Sequence, residues 1–250
     1  MIQLKSQREI EIMARGGKIL AETVKLMERS VKPGMTTADL DAIADEFIRS
    51  HPGAKPSFKG LYNFPASICS SINHEIVHGI PSKKRVLYEG DVLSIDVGVQ
   101  YEGYHTDSAT TVAVGSVNDE SRQLLQVTRD ALDAGVAVAK PGNHLGDIGA
   151  AIQAVVEAAG FSVVRDLVGH GIGTGFHEEP QVPNYGKPNR GIRLVPGLTI
   201  AIEPMVNVGK PGIRTMPDKW TVVTVDGKRS AHFEHTVAIT EDGPRILTAA

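Results

Sequence analysis

Seven side chains in this sequence could act together: His78, Asp96, Asp107, His170, His177, Glu203 and Glu234. A carboxylate is costly to bury unless it is paired or bound to metal. Yet each of these four acids lies within or at the end of an apolar, β-like run, such as Val-Leu-Ser-Ile-Asp-Val ending at Val97 or Leu-Thr-Ile-Ala-Ile-Glu ending at Glu203. Four acids and one imidazole are enough to hold two divalent cations through shared oxygen ligands. The chemistry implied is that of a dinuclear metallohydrolase.

Each residue also has a plainer reading. Asp96 and Asp107 flank a predicted hairpin, whose antiparallel pairing would bring their carboxylates together. A lone pair of this kind is more often two exposed turn acids, but the apolar neighbours of Asp96 argue against that. Glu203 follows mostly apolar residues and precedes Pro204, and so is equally hard to place in solvent. Glu234 alone would pass for the polar face of an alternating strand. His170 has glycine on both sides, which permits unusual backbone angles and lets a ring be aimed into a tight site. A phosphate-cradling loop is a poor fit there, because the glycine order is wrong and the chain runs into Glu178-Glu179-Pro180 rather than a helix. His78 also reads as a satisfied buried histidine. His51, His74, His105, His144, His232 and His235 read as surface or structural.

The elements that must position these groups recur. Val31-Lys-Pro-Gly and Ala139-Lys-Pro-Gly each precede a helical pattern, Leu40/Ile43/Ala44/Phe47 in one case and Ile148/Ile152/Val155/Val156 in the other. The two acidic strands ending near Asp96 and Glu203 stand at nearly the same offset, which points to a duplicated unit. Ser6 and Glu9 form a capping-box signature before a helix, and a further helix is predicted from Asp119 to Val138. Strands are expected near residues 66–70, 75–78, 92–99, 106–114, 163–168, 199–206, 221–225 and 232–239. Tyr101-Glu-Gly-Tyr104 and Asp226-Gly-Lys228 are predicted hairpin turns. The expected fold is a single α+β domain over residues 1–250, with pseudo-symmetric halves of roughly 1–115 and 116–250 and the site between them.

Composition narrows the class. The 250 residues are 41% apolar and 22% charged, with a formal charge of −3, which gives no support for nucleic acid as the main partner. No stretch approaches the ~20 apolar residues of a membrane span, and the first ten residues lack a signal-peptide core. Cys69 stands alone, so there is no intrachain disulfide, and a reducing, cytoplasmic setting is expected.

Taken in order, Asn73-His-Glu-Ile-Val-His-Gly-Ile-Pro81, Asp96-Val-Gly, Thr106-Asp107, Gly169-His-Gly-Ile-Gly173, Ile202-Glu-Pro204 and Phe233-Glu-His-Thr236 resemble the motifs of methionine aminopeptidases, over essentially the whole chain. The resemblance implies the pita-bread fold, two pseudo-symmetric halves with antiparallel sheet around a dinuclear metal site. It also implies the short, bacterial type I form. No N-terminal zinc-finger extension is evident, and the 31 positions from Glu203 to Glu234 leave no room for the helical insertion of the type II enzymes. By the same resemblance Asp96 would chelate one metal, Asp107 and Glu234 would bridge the pair, and His170 and Glu203 would complete the other shell. Glu203 would relay a proton, His177 would stabilise the carbonyl oxygen, and His78 would sit by the scissile amide.

The implied methionine slot has walls of Phe64, Cys69, Phe176 and Trp220, with Leu61 and Tyr62 at the mouth. Leu61, Phe64 and Phe58 stand where tyrosines and a cysteine are common in the family. The implied cofactors are two divalent ions (Co, Mn, Fe, Zn or Ni), with a monovalent cation on backbone oxygens of Asn73, Glu75 and Ser230. The implied partner is the N-terminal methionine of nascent peptides, with transient ribosome contact, no membrane and a monomeric state. Two alternatives stay open: an Xaa-Pro aminopeptidase or prolidase of the same fold, and a pita-bread binding module without activity.

Overall fold

Residues 2–249 are described by the structure, a computed structural model. Helix α1 (Gln7–Ser30) starts at Ser6 with the expected capping box, Ser6 and Glu9 satisfying each other's backbone N–H groups. It buries Ile10, Met13, Leu20 and Met27 along one face. Helix α2 (Thr37–Arg49) buries Leu40, Ala44 and Ile48, while Ile43 and Phe47 of the predicted stripe stay half-buried. Helices α3 (Asp119–Val138) and α4 (Leu145–Ala158) serve the second half in the same way.

The two helix entries carry the same backbone device. Thr36 N–H donates to Asp39 and His144 N–H to Asp147, at 2.8 and 2.6 Å. Gly34 N–H binds the Leu87 carbonyl, and Gly142 N–H binds that of Leu194. The correspondence continues to the strands: Gly90 N–H binds the Val114 carbonyl as Gly197 N–H binds that of Ile239.

All sheet pairing is antiparallel. In the first half, strand Val92–Tyr101 pairs along one edge with Tyr104–Ala113, through a two-residue turn at Glu102-Gly103, both left-handed as the predicted hairpin requires. Its other edge takes Ile68–Ile72 and Ala54–Pro56 end to end. The second half has a five-stranded sheet in the order Gly243–Ile246, His235–Thr240, Thr199–Ile202, Gly169–Gly171, Glu178–Val182. A three-stranded sheet of Ser230–His232, Met205–Asn207 and Ser162–Val163 continues from it. A last one joins Ile213–Thr215, Val222–Thr224 and Glu75–Val77, and so ties the halves together.

Four expectations change. The predicted 199–206 strand is broken at Glu203-Pro204 and the 232–239 strand at Phe233-Glu234. Proline lacks the ladder N–H, and the Glu234 N–H turns instead to the Ala109 carbonyl of the other half. Asp226-Gly-Lys228 does not close a hairpin, because the strands on either side of it belong to different sheets: Val222–Thr224 pairs with 213–215 and 75–77, and Ser230–His232 with 205–207. Of the predicted 163–168 strand only Ser162–Val163 forms.

Each half has its own apolar core. One joins Leu20, Leu40, Ile68 and Ile95, the other Leu124, Ile148, Ile200 and Val237. A third cluster, with Ile10, Phe64, Cys69, Ile172 and Phe176, bridges them. Truncating any fully buried Leu or Ile of this kind to Ala costs about 2–5 kcal/mol, so the walls between which the site lies are stiff.

Candidate active site

Asp96 and Asp107 sit on adjacent strands of the first hairpin. The register sets Asp96 opposite Ala109 and Asp107 opposite Gly98, so the two carboxylates are diagonal neighbours on one face rather than directly opposed. In the second half Ile202 pairs with His235 and Met205 with His232. Carried across the break, that register opposes Glu203 directly to Glu234. Both glutamates thus stand where the ladder opens and face the aspartates of the other half.

His170 lies on strand Gly169–Gly171, not on a turn. Its glycine neighbours are not there for unusual backbone angles, since neither has a positive φ. They are there because a Cβ at Gly169 would fall 2.3 Å from the Ala201 carbonyl oxygen, and one at Gly171 would fall 2.3 Å from that of Glu179. The strand is wedged between two neighbours. Gly171→Ala is therefore expected to lower stability by about 1–3 kcal/mol, the usual cost of overpacking, as a reduced midpoint in urea titration. An unchanged midpoint would mean that the strands part freely.

The His170 Nδ1 lies 2.8 Å from the Gly171 carbonyl, which can only accept, so Nδ1 carries the proton and Nε2 presents its lone pair. That Nε2 is 3.7 Å from Glu203 and 3.9 Å from Asp107. One ligand atom each from Asp107, His170 and Glu234 lies within 4.8 Å of the others. Asp96 Oδ1 and Glu234 Oε1 are buried without a hydrogen-bond partner among the described residues. Orphaned carboxylate oxygens beside an imidazole lone pair are what a divalent cation completes, so the residues fit a metal centre.

The electrostatics agree. Burial pushes the Asp96 carboxyl up to about 6, with Glu203 adding to it and His232 opposing, and pushes Glu203 to about 8. Asp107 and Glu234 are raised as well, first by burial and then by the acids around them. Desolvation brings His78 and His170 down to about 4, so both are neutral at pH 7.

These groups line one cavity of about 160 Å³. Its floor holds Asp96, Asp107, His170, Glu203 and Glu234. Cys69 pairs with Asp96 across the sheet and joins Phe58, Phe64, Phe176 and Trp220 in the apolar wall. Phe64 meets Trp220 edge-on at 5.0 Å and Phe58 meets Phe176 at 5.3 Å. His78, Leu61, Tyr62 and His177 complete the lining. His78 holds a left-handed backbone (φ 60°), which marks it as a constrained position. The His177 ring is 4.4 Å from that of His170 and is stacked by Tyr62, itself 64% exposed. Of the backbone-oxygen set expected for a monovalent cation, the Asn73 carbonyl accepts from Ser230 N–H, and Glu75 pairs with Val223 beside it.

One residue passed over in the sequence belongs here. His232 is 1% exposed, neither ring nitrogen has a hydrogen-bond partner among the described residues, and its Nε2 is 3.6 Å from Glu203. The registers explain its placement. His232 stands to Glu203 as Asp107 stands to Asp96, opposite the residue two positions along the strand. The internal duplication was the signal that could have singled it out.

Comparison with known proteins points the same way. The profile of Metallopeptidase family M24 matches residues 11–241. Methionine aminopeptidase 1 of Bacillus subtilis is 54% identical over 99% of both chains. The crystal structure of methionine aminopeptidase from Thermotoga maritima superposes with a TM-score of 0.98 at 44% identity, covering 100% of both chains. The prolidase of Pyrococcus horikoshii shares the fold at a TM-score of 0.80, with 24% identity over 99% of this chain and 63% of its own.

Proposed function

Because the chain belongs to metallopeptidase family M24 and to its methionine aminopeptidases, with their pita-bread fold, we propose that it removes the N-terminal methionine from nascent proteins and peptides, preferring a small second residue. The observation that carries this reading is the single cavity in which four acids and His170 underlie an apolar slot of Phe58, Phe64, Cys69, Phe176 and Trp220. An unbranched thioether suits such a slot, since aromatic edges contact sulfur favourably.

In this reading Asp96, Asp107, His170, Glu203 and Glu234 would hold two divalent ions between them. What the two ions supply when bound is Lewis acidity, activating water near neutral pH and polarising the scissile carbonyl. Glu203 accepts the proton from the attacking water and passes it to the departing amine. His177, at the cavity mouth, donates to the carbonyl oxygen as charge develops there. His78 holds the scissile amide. The shelf beyond, with Val77, Leu167, Met205 and His232, takes the second residue. The mixed oxygen and nitrogen donors accept Co, Mn, Fe, Zn or Ni, and a monovalent cation at Asn73, Glu75 and Ser230 belongs to the same reading. So do a single catalytic domain, a monomer, a cytoplasmic setting and transient ribosome contact. No helix among the described residues is long and apolar enough to cross a membrane.

Metal-stripped protein is expected to release free methionine from Met-Ala-Ser only after Mn(II), Fe(II) or Co(II) is restored, and to cut Met-Leu-Ser more slowly. Cleavage of an Xaa-Pro peptide instead would move the assignment to the prolidase side of the family. Inactivity on both would favour a binding module.

A further inference from the structure

Lys5 is 7% exposed, an unusual position for a lysine in the short segment before α1. Its backbone N–H donates to the Gly197 carbonyl at 2.7 Å. The side chain then runs inward over Gly173, where a Cβ would come within 2.2 Å of Lys5 Cε. The ammonium donates to the Gln3 carbonyl at 3.1 Å and forms a part-buried ion pair with Glu178, 173 positions away in sequence. The other Glu178 oxygen accepts the Gly175 N–H at 2.9 Å. The His105 N–H closes the far end of the loop on the Gly173 carbonyl at 2.7 Å.

The loop held in this way, Gly173 to His177, carries two groups of the cavity. Phe176 packs on His170 at 5.5 Å between ring centroids, and His177 stands at the mouth. Gly173, Thr174 and Gly175 give the loop little apolar anchorage of its own. We propose that Lys5 is a positioning residue, which acts through Glu178 to set the Gly173–His177 loop and hence His177 and the Phe176 wall. It touches no substrate. The inference rests on the methionine aminopeptidase reading only for its effect on rate; the ordering of the loop stands apart from that reading.

The test compares wild type, Lys5→Met, Glu178→Gln and the double variant, with Lys5→Arg as the conservative exchange. Methionine keeps the stem over Gly173 and removes the charge, and glutamine keeps an acceptor for Gly175 N–H. Three quantities are read: kcat and KM on Met-Ala-Ser at saturating Mn(II), Mn(II) affinity by calorimetry, and hydrogen exchange across residues 172–178. Misplacing a catalytic group by about 1 Å costs on the order of 10²-fold, so Lys5→Met should lose roughly 10- to 100-fold in kcat. Mn(II) affinity should stay at the wild-type value and the Gly175 amide should exchange faster. Lys5→Arg should recover part of the loss. Because Lys5 acts through Glu178, the double variant should be no worse than the poorer single one. Unchanged kcat and exchange in both single variants would overturn the proposal, as would fully multiplying losses in the double variant. If Lys5→Met fails to fold, Glu178→Gln carries the same comparison. If wild type releases no methionine, the functional reading fails while exchange at Gly175 still decides whether the latch exists.

Discussion

In Glu203→Gln, methionine release from Met-Ala-Ser is expected to fall by about 10²–10⁴-fold, the range of a lost general acid–base. The substitution keeps the shape of a side chain that stands at a strand break, with one oxygen 3.7 Å from His170 Nε2 and the other 3.6 Å from His232 Nε2. It removes both the charge offered to a cation and the capacity to carry a proton. The two roles separate in a metal titration. If Glu203 only held metal, excess Mn(II) would refill the weakened site and restore kcat. If it also moves the proton, kcat stays low at full occupancy, measured by calorimetry on the same sample. Metal-free Glu203→Gln should also be more stable than wild type above pH 8, because one of four mutually repelling acids has been neutralised. Wild-type turnover in the variant would remove Glu203 from the mechanism.

The second large effect is on stability. In the metal-free protein Asp96 is raised to about 6 and Glu203 to about 8, while Asp107 and Glu234 are raised too, all by burial first. A carboxyl whose folded pKa lies above its unfolded value contributes stability that is complete below about pH 4, and that contribution is lost as pH rises through the folded value. The buried histidines work the other way. His78, His105, His170 and His235 are lowered to about 4 from an ordinary 6.5, so their contribution is present above 6.5 and is lost only as pH falls toward 4.

Between about pH 6.5 and 8 the histidines are silent and the acids alone titrate. The Tm of metal-free protein should therefore fall across that window. Divalent cation at a hundred times its Kd should add about 2.7 kcal/mol per site, roughly 5–10 °C for a chain of this size. The increment should grow with pH, as binding displaces protons. Differential scanning calorimetry after chelator dialysis, with and without Mn(II), measures both effects. A metal-free Tm that is flat or rising over this window would show that the four acids do not share one desolvated site.

Much of this was readable along the chain, for a definite reason. The capping box of Ser6 and Glu9, the turn at Tyr101–Tyr104 and the span of α3 depend on residues a few positions apart, so period and turn chemistry reveal them. The four acids were conspicuous because a carboxylate inside an apolar run needs a partner, and the echo of Lys-Pro-Gly announced two related halves. Other features depend on contacts across a hundred positions or more. The ladder had to open at Glu203-Pro204 and Phe233-Glu234 for the two glutamates to face the aspartates, and the Glu234 N–H is satisfied by the Ala109 carbonyl of the other half. The glycines beside His170 reflect the closeness of neighbouring strands rather than backbone freedom. His232 looked ordinary until the registers of two separate hairpins aligned it with Asp107. Residue types and local spacing carried the chemistry and the helices; packing between the halves chose which side chains share the cavity, because burial and register arise only once distant strands meet.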